Sequence, residues 1–151
     1  MNNRDEILSD KNVLFSSANY INIGRLIPQV IHYFKSYFDL VNAGEIKKGD
    51  KINFIVPTGN FGDILAGYFA KKLGLYIDEL VCAAHRNDVL DEFLNTGVYN
   101  SDREFYETIS PTMEILISSN LERLLFIESG YDVDYVKQLM SELNNNKKNI
   151  I

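Results

Sequence analysis

The amino-acid sequence predicts an α/β fold, because short β-rich segments alternate with segments that have the helical period. The clearest case is residues 51–84, where a strand, a glycine-bearing turn, a helix and a second strand follow one another. Such a β-loop-α-β unit implies parallel strands and a right-handed crossover. We therefore expect a Rossmann-like, three-layer α/β/α arrangement around a mostly parallel sheet.

The first elements are a short strand over residues 13–15 and a long helix that begins after Asn22, an amino acid favoured at N-caps. Apolar residues then recur at steps of three and four. Pro28 should interrupt this helix, because its ring crowds the carbonyl of Gly24. Gly44 favours an end to the helix just before it.

The next strand is predicted over Ile52–Val56, and the helix after it should stop at Gly74. A second strand is expected over Leu80–Ala84, followed by a turn at Gly97. The remaining predicted elements are helices over residues 88–94, 119–128 and 133–143. We expect residues 1–143 to form a single α/β domain and residues 144–151 to be a flexible polar tail.

Composition excludes several classes of protein. The net charge is −6 and no basic block is present, which argues against nucleic-acid binding. Cys82 is the single cysteine, so neither an internal disulfide nor a cysteine-based zinc site can form. His32 and His85 are too far apart in the sequence for a metal-binding spacing, and no metal is expected. A reducing compartment, the absence of a long apolar run and a polar, acidic N-terminus predict a cytoplasmic protein with no membrane contact.

The turn over Pro57–Asp63 is the most informative segment for function. It leaves the carboxyl end of a strand and enters a helix, where open α/β sheets bind ligands. Glycine allows close backbone approach and positive φ, and the first helix amides favour an anion. The alternative is an ordinary turn in which Asp63 satisfies the start of the helix. The predicted phosphate ligands are the amides of Gly59, Asn60, Phe61 and Gly62.

Three segments resemble threonine synthase, a pyridoxal-phosphate enzyme of the tryptophan synthase β, fold-type II superfamily. The P-T-G-N-F-G-D motif at Pro57–Asp63 resembles the phosphate loop of that family. Ser17–Arg25 and Ile109–Leu125 resemble two further family segments, and the three occur in the family's order. The resemblance covers only a middle portion of the enzyme.

The resemblance implies roles for further residues. The full enzyme would convert O-phosphohomoserine and water to threonine and phosphate with pyridoxal phosphate, as a carbon–oxygen lyase. Tyr20 replaces a family serine. Asn22 and Arg25 could instead be a helix cap and a surface charge, and Ser118, Ser119 and Asn120 are expected to cap a helix. The residues implied to hold the phosphorylated substrate are Asn19, Asn22 and Arg25.

The family's Schiff-base lysine lies in an F-K-D motif, and none of the lysines of this chain lies in one. The resemblance therefore implies a fragment that is inactive alone and lacks a catalytic residue of its own. Its partners would be the rest of the enzyme chain and, through exposed apolar surface, further copies of itself. The alternatives are a piece of another fold-type II lyase or dehydratase, or a non-catalytic flavodoxin-like ligand-binding module.

Overall fold

The computed structural model describes residues 22–84, 89–102, 118–146 and 148–150. The strand predicted over residues 13–15 lies outside these ranges. The helices are α1 (Ile23–Leu26), α2 (Val30–Asn42), α3 (Gly62–Lys72), α4 (Val89–Thr96), α5 (Leu121–Glu128) and α6 (Val133–Asn146). The strands are β1 (Ile52–Pro57), β2 (Ile77–Ala83), β3 (Val98–Asn100) and β4 (Lys148–Ile150).

The first helical region has the interruption that the sequence predicts. The side chain of Asn22 accepts a hydrogen bond of 2.9 Å from the amide of Gly24, which confirms it as the N-cap of α1. A single 3₁₀ turn, Ile27–Gln29, contains Pro28 and separates α1 from α2. Gly44, with a φ of 77°, follows the end of α2 as predicted.

β1 and β2 form a parallel pair, which confirms the predicted α/β class. Val56 lies opposite Cys82, and the amide of Thr58 extends the ladder by donating to the carbonyl of Ala83 at 3.0 Å. β2 begins three residues before the predicted start at Leu80. The strand includes a buried Ile77 followed by exposed acidic residues, a pattern that is compatible with an edge facing solvent.

α3 packs closely against α2 and β2, and this packing fixes the position of the turn before α3. Leu65 and Ala66 are completely buried. Gly67 is a point of close approach, because a β-carbon there would lie 2.7 Å from the ring of Tyr33 and 2.9 Å from the side chain of Leu80. Only glycine fits between these neighbours without displacement.

β3 and β4 form a second, antiparallel pair that the sequence analysis did not predict. Tyr99 lies opposite Asn149. α6 continues through Asn146, into the segment expected to be a tail. The flexibility of residues 144–151 and the domain boundary at 143 stay predictions. Within the described ranges, no helix is long and apolar enough to cross a membrane.

Candidate cofactor-phosphate site

The turn between β1 and α3 is anchored at the end of the sheet. Thr58 and Gly59 are both buried. The hydroxyl of Thr58 donates to the carbonyl of Val56 at 2.7 Å, and its amide donates to Ala83 on β2. The first half of the turn therefore has little freedom to move away from the carboxyl end of the parallel strands.

Phe61 provides the left-handed residue of the turn, with φ 59° and ψ 5°. The sequence analysis assigned such a conformation to the glycines, but Gly59 and Gly62 are not among the described glycines with positive φ. The left-handed region costs a non-glycine residue roughly 1–2 kcal/mol. Burial of the phenyl ring, which is 5% exposed, offsets that cost.

Among the described residues, no side chain caps the start of α3. Phe61 occupies the N-cap position, and its carbonyl accepts the first intrahelical bond from Leu65 at 3.1 Å, but its side chain caps nothing. The preceding first-turn amides have no acceptor within the helix, and the helix dipole favours an anion at this end. Uncapped amides after a buried turn fit the phosphate group of pyridoxal phosphate.

Asp63 lies in the first turn of α3, where its charge suits the helix dipole, but no capping hydrogen bond from its side chain is present among the described residues. Its side chain is exposed, and its carboxylate accepts a hydrogen bond of 3.2 Å from the hydroxyl of Tyr33. The same hydroxyl donates to the main-chain carbonyl of Asp63 at 2.8 Å. Asp63 is thus both exposed to solvent and bonded to Tyr33.

Asn60 is held by residues that lie about 60 positions later in the chain. Its Oδ1 accepts from the amide of Ser119 at 3.1 Å and from the hydroxyl of Ser119 at 3.0 Å. The side chain of Asn120 donates to the main-chain carbonyl of Asn60 at 2.8 Å. Arg123 in turn donates to Oδ1 of Asn120. We call this set of contacts the Asn60 clamp.

The prediction that Ser118, Ser119 and Asn120 form a helix cap is confirmed in position, but the cap residue makes no side-chain bond to the helix. Asn120 occupies the N-cap position of α5, but its side chain makes no capping bond and turns to Asn60 instead. The physical reason is tertiary: the buried carbonyl of Asn60 needs a donor, and Asn120 supplies it. The resemblance in the S-S-N segment was the signal that could have pointed to this role.

The side-chain hydroxyl of Ser118, next to Ser119 of the Asn60 clamp, is a buried polar group. The amide of Ser118 donates to the hydroxyl of Tyr99 at 3.0 Å, and burial raises the pKa of that tyrosine. The residue is 2% exposed, and within the described residues its own hydroxyl has no hydrogen-bond partner. A buried hydroxyl without a partner is unusual and is consistent with a ligand group nearby.

Cys82, opposite Val56 on β2, is not suited to be a nucleophile. Its side chain is half-buried, and burial raises the pKa of the thiol, with a weaker opposing effect from Thr58. The thiolate is the reactive form of cysteine, and a raised pKa makes the thiolate less abundant at neutral pH. Its role in the sheet is packing.

The residues that the resemblance implies for substrate binding are only partly described. Asn19 lies outside the described residues. Asn22 and Arg25 are exposed at the two ends of α1, which packs against α3. The side chain of Asn22 is engaged as the helix cap. Substrate binding by Asn19, Asn22 and Arg25 therefore stays a prediction.

Similar proteins in other organisms agree with the resemblance. A segment of threonine synthase from Saccharomyces cerevisiae is 45% identical to the chain over 141 residues, and a segment of human threonine synthase-like 1 is 46% identical over 133 residues. Each alignment covers 87% of this chain. The solved structure of threonine synthase from Brucella melitensis, which has pyridoxal phosphate bound, superimposes with a TM-score of 0.81 at 43% identity over 90% of the chain. No family model matches.

The match is one of a part to a larger whole. The chain spans 27% of the yeast enzyme, 17% of the human protein and 28% of the Brucella structure. Both the sequence identity and the superposition point to the same enzyme, which favours it over other fold-type II lyases and over a flavodoxin-like module. The chain therefore matches, in sequence and in fold, one segment of threonine synthase.

Proposed function

We propose that this chain forms the part of a threonine synthase that holds the phosphate of pyridoxal phosphate. The observation that carries the proposal is the uncapped N-terminus of α3, which follows a buried turn at the carboxyl end of a parallel strand. The identity of 43% to a threonine synthase with pyridoxal phosphate bound supports the choice of cofactor.

In this proposal the amides of Gly59, Asn60, Phe61 and Gly62 bind and orient the phosphate. Tyr33 keeps the carboxylate of Asp63 engaged, which limits its repulsion of the anion. The cofactor, when bound, supplies an electron sink for chemistry on an amino acid. The net reaction of the complete enzyme would be the conversion of O-phosphohomoserine and water to threonine and phosphate.

Recognition of the substrate's phosphate ester would fall to the first helical region. Arg25, an exposed residue of α1, can form a forked pair of hydrogen bonds with a phosphate. Asn19 and Asn22 would add polar contacts to the same phosphate ester. We place this activity in the cytoplasm, as the composition suggests.

We also propose that an apolar groove on this chain is a contact surface for the rest of a threonine synthase chain. The groove lies between the α1–α2 region and the end of α3, with a volume of about 710 Å³. Its most exposed members are Leu73 at 70%, Ile31 at 65% and Ile27 at 57%. Apolar surface of this kind is normally covered in a complete protein. The 151-residue chain alone would cover it with a second copy.

The test uses the 151-residue chain and inorganic phosphate, followed by amide NMR. Phosphate should shift the amide signals of residues 59–62, while the amides of Gly44 and Gly130, which follow the ends of other helices, should not respond. Chloride at equal ionic strength is the control for screening. Responses only outside residues 59–62 would refute the site.

A second measurement tests the expectation that this chain alone has no catalytic activity. With pyridoxal phosphate and O-phosphohomoserine added, phosphate release should equal that of a protein-free blank. The reason is that no lysine of this chain lies in the F-K-D motif that would carry the cofactor. Release above the blank would show that this chain contains a complete catalytic site, contrary to the proposal.

A further inference from the structure

We propose that Asn120 and Ser119 are positioning residues that aim the amide of Phe61 at the phosphate. The inference rests on the proposed function and adds to it a group of residues from the start of α5, none of which needs to touch the ligand. Asn60 connects the phosphate turn to the start of α5. Its side chain is bonded to Ser119, and its main-chain carbonyl is bonded to Asn120.

The geometry of the peptide bond links Asn120 to Phe61. The carbonyl of Asn60 and the amide N–H of Phe61 belong to the same planar unit and point in opposite directions when the peptide is trans. No cis peptide occurs in the described residues. Asn120 binds the carbonyl at 2.8 Å from one side, so the N–H of Phe61 must point to the other.

The side chain of Asn60 is also restrained. Two donors of Ser119, its amide and its hydroxyl, use Oδ1 of Asn60 as acceptor. A carbonyl oxygen has two lone pairs, so these two bonds fill it. The side chain of Asn60 therefore cannot rotate without breaking both contacts.

Asn120 is itself fixed in one orientation. It is completely buried, and Arg123, one helical turn further on, donates to its Oδ1. Because arginine only donates, this contact leaves the amide nitrogen of Asn120 to face Asn60. The chain of contacts runs from Arg123 through Asn120 to the peptide of Asn60 and Phe61.

Asn120→Asp tests the inference with almost no change of shape. The aspartate keeps an acceptor for Arg123 but cannot donate to the carbonyl of Asn60 when ionised, so the peptide loses its orienting bond. Asn95→Asp is the matched control, since Asn95 also donates to a main-chain carbonyl, that of Asp91 at 2.9 Å, on α4. Both variants add the same charge.

A serine pair provides a second, independent test in case Asn120→Asp does not fold. Ser119→Ala removes one of the two donors to Oδ1 of Asn60, namely the hydroxyl. Ser119→Thr keeps a hydroxyl at the same position. If phosphate binding weakens in the alanine variant and is unchanged in the threonine variant, the cause is the lost hydrogen bond and not the change of side-chain volume.

The measurements are the Kd for inorganic phosphate from amide NMR and the free energy of unfolding in urea. Asn120→Asp should weaken phosphate binding about tenfold or more, and Ser119→Ala about threefold, which correspond to the usual worth of such bonds. Ser119→Thr and Asn95→Asp should bind as the parent chain does. The Phe61 amide should also exchange faster in Asn120→Asp, relative to core amides.

The outcomes separate the two proposals. If the parent chain shows no phosphate response at residues 59–62, the proposed function and this inference both fail. If the parent responds and the Asn120→Asp and Ser119→Ala variants bind phosphate equally well, only the positioning role is overturned. A loss of stability in these variants without a loss of phosphate affinity would likewise reduce the clamp to a structural role.

Discussion

Phe61 combines two opposing effects in a single residue. Its backbone lies in the left-handed region, while its ring is 5% exposed in the core. Tyr131 has the same type of backbone, with φ 68°, but its side chain is 66% exposed. The two residues thus separate the cost of the conformation from the benefit of burial.

Replacing each aromatic residue by glycine should therefore change the free energy of unfolding by different amounts. Phe61→Gly relieves strain of roughly 1–2 kcal/mol but loses ring burial worth about 3–5 kcal/mol, so we expect it to lower the free energy of unfolding by about 1–4 kcal/mol. Tyr131→Gly should change it by less than about 1 kcal/mol. Urea unfolding measures both. A Phe61→Gly variant as stable as the parent would show that burial does not hold the turn.

At this scale, local chemistry could be predicted and distant contacts could not. Asn22 as a cap and the interruption at Pro28 follow from neighbours within four residues. The hydrogen bonds of Asn60 cannot be predicted from the neighbouring sequence, since its partners lie about 60 positions away. The left-handed Phe61 was missed because glycine carries most of the statistical preference for positive φ.

At the scale of elements, the contact between α2 and α3 depends on the missing side chain of Gly67. The ring of Tyr33 lies within 2.8 Å of where a β-carbon would be, and it also packs edge-on against Phe54 at 4.9 Å between ring centroids. The hydroxyl of the same tyrosine reaches Asp63 at the start of α3. Moving this ring would therefore disturb the candidate site.

Gly67→Ala should destabilise the fold although alanine is the better helix former. The propensity gain is about 0.5–1 kcal/mol, while overpacking costs about 1–3 kcal/mol, so we expect a net loss of about 1–2 kcal/mol in urea unfolding. Ser141→Ala, at an exposed position of α6, is the control and should be neutral or slightly stabilising. A gain in stability from Gly67→Ala would show that Tyr33 and Leu80 yield readily.

A polar cluster connects α3 to α5 on the surface. The hydroxyl of Tyr68 donates to Glu128, and Lys72 lies 3.5 Å from the same carboxylate and over the Tyr68 ring. The hydrogen bond from Tyr68, followed by the charge of Lys72, holds the pKa of Glu128 below its usual range. The pKa of Tyr68 is raised, chiefly by burial.

The lowered pKa of Glu128 predicts a pH-dependent contribution to stability. A carboxylate whose pKa falls on folding stabilises the protein above its unfolded pKa, and the effect is lost as pH falls through the folded pKa. Glu128→Gln should therefore reduce the urea midpoint at pH 7 and leave it close to the parent's well below pH 4. A difference that persists unchanged at low pH would contradict the role of the charge.

Among the elements, those with a strong local signal were predicted and the short ones were not. α2 and α3 end two residues before Gly44 and Gly74, close to the predicted positions. β3 and β4 were missed because three residues carry no measurable period, and their pairing joins positions about 50 apart. Such pairing is decided by the packing of the whole molecule.

At the scale of the whole molecule, the apolar groove and the net charge of −6 act against each other. The charge keeps copies apart in dilute buffer, while exposed isoleucine and leucine side chains favour association. Salt screens the charge and leaves the apolar attraction intact, so it should shift the balance toward association.

We expect the chain to self-associate in a concentration-dependent way that salt strengthens. Ile31→Glu places a charge in the groove and should return the chain to a monomer. Leu40→Glu, on the same helix but outside the residues that line the groove, is the control with equal charge and should leave association unchanged. Light scattering after size exclusion measures the mass. A parent chain that stays monomeric at high concentration and high salt would contradict the expectation.

The Asn60 clamp also has a consequence for the order in which the site is made. The ribosome synthesises Asn60 well before Asn120, and the two are 60 positions apart. At about 5–20 residues per second, the interval is roughly 3–12 s. During that time the turn emerges without the donors that orient it. The newly made loop thus remains unclamped for seconds, and the anion site that we propose would be complete only when the second half of the chain has emerged and folded back.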